Sequence, residues 1–260
     1  MQRRKFITAI GTLAIGTGTA LGTGAFDATS SNSNAGLSVV TQTESAEINI
    51  VPGYEEFTNS DIGDDVYIPS SDSNRPEYIA EDGTIIYNRL SREDLPLAIV
   101  NSGGTGMANV QVAVEVGRPS SEVDFQKLLA VNNNDTQDYE LGFTYHEGYG
   151  SAVTEEGVDA SVANKAFQFI HDTTRVSPAN DETSGETPAN MFSVGTGDPV
   201  AVSLKVNTDL PALINAYGDV YGKPYSGTGD FVTEGDDAVA KELVSAVTAV
   251  ADETSSRNES

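Results

Sequence analysis

Two histidines, two acidic runs and two Asn-x-Ser/Thr triplets are the places where residue type and spacing in this chain could do chemistry. His146-Glu147 opens like the first half of a zinc-protease helix, which needs a second histidine one helical turn later. Positions 149–151 hold Tyr149, Gly150 and Ser151, so that partner is missing and His146 reads as a surface residue at a strand end. Asp61, Asp64 and Asp65 (DIGDD) could gather oxygen ligands for Ca2+, as could Asp236 and Asp237. Neither run has the D-x-D-x-D-G spacing with a distal Glu that a dedicated calcium loop requires, and a solvated acidic loop is the ordinary reading. Asn134-Asp135-Thr136 and Asn258-Glu259-Ser260 make Asn134 and Asn258 candidate N-glycosylation acceptors. Gly103-Gly104-Thr105-Gly106 joins two candidate strands and opens no helix, which makes it a hairpin turn and not a phosphate cradle. No Gly-x-Ser-x-Gly elbow, phosphate loop or dinucleotide fingerprint occurs, and no carboxylate pair stands out among so many. The expectation is a protein that is not an enzyme and needs no cofactor.

The charge balance narrows the partners. The 260 residues carry 14 Lys plus Arg against 39 Asp plus Glu, a formal net charge of −25. Such self-repulsion weakens a compact state in dilute salt. At molar salt the screening length falls to about 3 Å and the repulsion is largely removed. Nucleic acid and anionic lipid would be repelled, so the composition speaks for a salt-adapted chain and against both. There is no cysteine, so stability must come from a packed core or from assembly and not from disulfides.

The elements that would position these residues are mostly strands. Ala108–Val116 alternates strictly, with Ala108, Val110, Val112, Val114 and Val116 on one side and Asn109, Gln111 and Glu115 on the other. Val200, Val202, Leu204 and Val206 do the same, as do Leu141, Phe143 and Tyr145. Further candidates are Leu37–Thr41, Ala46–Val51, Thr84–Asn88, Pro96–Asn101 and Ala166–His171. Ser121–Leu129, Asp209–Ala216 and Asp236–Val244 read as short helices with acidic or Pro-marked starts, and Val247–Ala251 as a last strand or a continuation of the third helix. The pattern predicts an all-β protein: a jelly-roll-like antiparallel β-sandwich over 37–252, with polar loop insertions near 58–76, 148–188 and 221–235, a few short helices and a polar tail at 253–260.

The first 24 residues read as an export signal. Arg3 and Arg4 precede an apolar run to about Leu21, a twin-arginine-like arrangement that implies export of a folded protein. Cleavage near Gly24 or Ala25 would leave no stable membrane span, would take the net charge from −25 to −28, and would free a segment over 25–36. Gly22-Thr23-Gly24-Ala25-Phe26-Asp27 resembles the SipW-type signal end of the TasA/camelysin family and of many haloarchaeal surface proteins. Leu97–Val116 resembles that family's strand, Asn-x-Gly turn, strand hairpin, and Val200–Thr208 with Leu243–Asp252 resembles its late strands. The Gly148–Pro188 stretch departs from the family's compact members.

That resemblance implies a jelly-roll core, an extracellular or cell-surface location, and a homopolymer: a biofilm-matrix fibre or bundling pilus in which the freed N-terminus enters the next subunit as a donor strand. Signal peptidase and the export machinery would be transient partners. Carried onto this chain, the donor lies within Ala25–Thr41, with Phe26, Leu37 and Val39 as groove-filling residues. The same residues also fit a strand paired inside its own sheet behind a floppy tail. The alternative function is a monomeric cell-surface module that binds a solute or cations.

Overall fold

A computed structural model of the chain describes residues 37–41, 48–69, 75–86, 89–90, 92–104, 107–114, 122–145, 148–150, 153, 158–207, 209–213, 243–244 and 246–253. In chain order the strands are β1 (Leu37–Thr41), β2 (Ile48–Pro52), β3 (Val66–Tyr67), β4 (Leu97–Gly104), β5 (Met107–Ala113) and β6 (Glu122–Asn133). They continue as β7 (Tyr139–Thr144), β8 (Phe167–His171), β9 (Thr174–Arg175), β10 (Phe192–Val194), β11 (Val200–Asn207) and β12 (Ala246–Glu253). Two short helices, α1 (Gly53–Glu56) and α2 (Ala160–Ala166), lead out of β2 and into β8.

The strands form two sheets, one of order β10-β7-β12-β1-β5-β4-β3 and one of order β2-β6-β11-β8-β9. Most successive strands alternate between the sheets, the wrapping that makes the sandwich jelly-roll-like. The pairing is antiparallel except for β1 with β12 and β3 with β4, which run parallel. Alternation explains why the sheets face each other. Val110 and Val112 of β5, Leu141 and Phe143 of β7, and Val247 of β12 share one core with Phe125 and Leu129 of β6, Val202 and Leu204 of β11, and Phe169 of β8. The Phe143 and Phe169 rings meet across the layers with centroids 4.8 Å apart. Each fully buried side chain of this size stabilises the fold by about 1.5–3 kcal/mol.

A second, smaller core covers the outer face of the first sheet. Ile79, Ile85 and Leu90 pack on Leu97, Ile99 and Ala113, so β4 and β5 are buried on both faces there. Gln111 keeps the outward orientation read from the sequence but is only 1 % exposed, and its Oε1 accepts the Ile85 amide at 2.9 Å.

The expected all-β sandwich is present; several elements differ in kind. Ser121–Leu129 is not a helix: from Glu122 it belongs to β6, the strand between β2 and β11. Where β11 takes two residues from Val202 to Leu204, β6 takes four from Phe125 to Leu129. Lys127 (φ 48°) forms this bulge, and its amide donates to Ser203 Oγ at 3.0 Å. The bulge lets Phe125, Leu128 and Leu129 all face inward, a spacing that imitates one helical face. Gly53 lies against it so closely that a Cβ would sit 1.8 Å from the Lys127 carbonyl oxygen.

Thr84–Asn88 contributes only the bridge between Ile79 and Ile85 among the described residues. Within the 148–188 stretch, read as a polar insertion carrying one candidate strand at Ala166–His171, that strand is present as β8, and α2 and β9 flank it; Phe167 and Phe169 fill the core. Of the two remaining expected helices, residues 211–213 are helical, with 214–216 outside the described residues; 236–242 likewise lie outside them, and Val244 pairs with Tyr149 in a bridge. The last segment resolves as strand β12.

Replacing Phe143 by Ala removes the main inter-layer ring contact. The expected result is a loss of about 3–5 kcal/mol of unfolding free energy in denaturant titration, and a loss below about 1 kcal/mol would contradict the packing of the two layers.

Candidate functional site

The feature with the clearest capacity to act is the place of β1. Ser38, Val39, Val40 and Thr41 pair in parallel with Ala246, Val247, Thr248 and Ala249. On the other side Leu37, Ser38, Val39 and Val40 pair antiparallel with Val110, Asn109, Ala108 and Met107. The first strand among the described residues therefore lies in the interior of the seven-stranded sheet, with a ladder along each edge. The residues flanking it are deep: Ala108, Val110, Val247 and Ala249 are all at most 1 % exposed. Leu37 and Val39 are thus placed on a strand, within the same chain. Arg3, Arg4, Gly24, Ala25, Phe26, His146, Asp236, Asp237 and Asn258 lie outside the described residues.

The acidic run is divided between two tasks. Asp61 accepts from the Thr58 hydroxyl at 2.8 Å and lies 3.6 Å from the Lys127 ammonium, which also stands over the Phe57 ring at 5.1 Å. Asp64 and Asp65 instead line an open hollow of about 350 Å³ with Tyr67, Tyr78, Glu93 and Asp94. Burial, and secondarily Asp64, hold the Asp65 carboxyl above its ordinary range. Burial, with Asp94 and Tyr67, likewise raises the Tyr78 phenol. Among the described residues no group of three or more His, Cys, Asp or Glu is arranged to hold a metal ion. The hollow is lined by four carboxylates and the two tyrosines.

A polar network that the sequence reading missed ties the 174–190 loops to the sandwich. Tyr145 is fully buried and donates to the Phe167 carbonyl at 3.1 Å; burial pushes its phenol up, with Ser177 and Arg175 opposing. Tyr149 donates to Asn164 Oδ1 at 2.8 Å, and Asn164 Nδ2 donates to the Glu182 carbonyl. The Arg175 guanidinium donates to the Asn164 carbonyl at 2.7 Å and to Asn180 Oδ1. Its Nε is buried without a partner, and burial lowers its pKa from the usual guanidinium value. These bonds are internal and fix loops. Asp159 caps α2 by accepting the Ser161 amide at 2.7 Å.

His171 stacks on Phe192 at 4.7 Å, and its Nδ1 lies 3.1 Å from the Ala201 carbonyl, so the imidazole is absorbed into packing. Asn134 is exposed in the turn between β6 and β7. Among the described residues no helix is long and apolar enough to cross a membrane. No protein-family model, curated protein or solved structure matches the chain.

The raised Asp65 pKa carries a sign. Its proton binds more tightly in the folded state, so ionisation opposes folding once pH exceeds the ordinary carboxylate range, and the opposition is complete above the raised value. Asp65→Asn should therefore raise the thermal midpoint at pH 7 and leave it unchanged near about pH 3. Calorimetry at the two pH values checks this, and an equal shift at both would refute the electrostatic cause.

Proposed function

We propose that the chain is an exported structural subunit of an extracellular filament or matrix fibre, in which β1 of one copy fills the β12–β5 slot of the next. The single observation that carries this reading is the interior position of β1, the first strand among the described residues, between two ladders. A sheet lacking that strand presents unpaired backbone donors and acceptors on both sides of a gap, over an apolar floor. A five-residue extended segment of the sequence LSVVT satisfies both edges and is carried by every copy. Insertion from a neighbour is a heterologous contact that does not close on itself, so it propagates into a filament.

The remaining sequence features agree with that role. A twin-arginine-like leader delivers a folded subunit, and cleavage near Ala25 supplies a leading segment ahead of β1. The net charge of −28 that cleavage would leave keeps free subunits soluble and apart until salt screens them. A monomeric surface module that binds solute or cations is the second reading, and the hollow bounded by Asp64, Asp65, Glu93 and Asp94 favours it. Size exclusion of the exported protein in high salt separates the two readings, polymer for the first and monomer for the second.

A synthetic peptide spanning residues 25–41 tests the mechanism. Added during assembly it should occupy the slot and shorten filaments with increasing dose in electron micrographs. The same peptide with Val39→Pro loses a ladder donor and should act far less. Filaments of unchanged length at a large peptide excess would overturn the proposal.

A further inference from the structure

The turn joining β6 to β7 contains Asn134-Asp135-Thr136, and its hydrogen bonds separate the residues that build the turn from the one left outside. Asn133, 4 % exposed, anchors it from below: Nδ2 donates to the carbonyls of Gln137 at 2.7 Å and Val194 at 2.9 Å, while Oδ1 accepts the Asp135 amide at 2.9 Å. The Asp135 carboxylate is folded back into the turn, where it accepts the Thr136 amide at 2.5 Å and the Tyr139 hydroxyl. The Thr136 hydroxyl leans on the same carboxylate at 3.3 Å. Asn134 and Thr136 are exposed, and the Asn134 amide takes part in none of these bonds.

We infer that Asn134 is an N-glycan acceptor of the folded, exported protein. The inference rests on the export reading, because a chain that leaves the cell folded can be modified only at triplets already on its surface. This turn meets that condition in detail. Asn134 is exposed in an ordered turn, the Thr136 hydroxyl stands two residues on, and the Asp135 carboxylate between them is engaged by Tyr139 and by Thr136 itself. A glycan here displaces no internal bond, since the turn is held by Asn133, Asp135 and Tyr139. The donor is a lipid-phosphate-linked oligosaccharide. Asn134 Nδ2 forms a bond to the anomeric carbon as the carbon–oxygen bond to phosphate breaks. The amide gives up one proton to a base, and the lipid phosphate leaves with the electron pair.

Mass spectrometry of peptides from the extracellular protein, made in its native host, reads the outcome. The peptide containing Asn134 should carry a glycan mass. Thr136→Ala and Asn134→Gln should abolish it while export persists, and Thr136→Ser should retain it. Extracellular protein with an unmodified Asn134 overturns the glycan and leaves export standing. An uncut chain confined to the cytoplasm overturns the export reading and the glycan with it.

Discussion

A seven-stranded sheet whose interior strand is the first one among the described residues depends on that strand being supplied. β1 answers the backbone groups of β12 on one side and of β5 on the other, and each buried donor or acceptor left unanswered costs about 1–3 kcal/mol. The rest of the architecture is arranged around this gap. β5 continues the sheet through the β4 hairpin, and β12 continues it through β7 to β10. The opposing sheet needs the first sheet continuous in order to bury Phe125, Leu129 and Leu204 against it. In this structure the segment comes from the same chain; the proposed filament keeps both ladders and changes only which copy supplies it.

With no cysteine available, the remaining stability comes from shape. Phe143 and Phe169 join the layers, a small outer core seals Ile99 and Gln111, and the Arg175–Asn164–Tyr149 bonds fasten the loops at 174–190. Carboxylates fill the surface and are bound locally where they would otherwise repel, as with Asp61 against Lys127 and Asp135 against Tyr139. Where burial and a neighbouring carboxylate act together, at Asp65, the cost shows as a raised pKa.

Strict alternation made β5 and β11 readable, because both put one apolar row into the core, and for β11 the expected range, Pro199–Asn207, begins one residue before the strand. The β4–β5 hairpin was equally legible from its glycines. β6 was misread because the Lys127 bulge shifts the inward row from odd to even positions and back, placing Phe125, Leu128 and Leu129 at helical spacing. The outer core was invisible because Gln111 obeys the alternation, and only tertiary cover by residues 76–90 makes it a buried residue. Arg175 had no local signature; its partners Asn164 and Asn180 come from a helix and a loop that meet only in the folded chain. Within the slot, Leu37 and Val39 were legible as a strand, but the two neighbours that flank it, separated by more than 130 residues of sequence, were not.

The chain's lack of cysteine permits a direct test of who supplies β1. Ser38 and Asn109 are cross-strand partners in an antiparallel ladder, at a separation of about 4.5–5.5 Å that a disulfide can bridge. Two single variants, Ser38→Cys and Asn109→Cys, are purified separately, mixed under assembly conditions in high salt, oxidised mildly and run without reductant. Exchange of the strand between copies predicts a covalent dimer containing one chain of each variant. A mixture that yields no such heterodimer, while the Ser38→Cys/Asn109→Cys double variant cross-links only within single chains, would contradict the account.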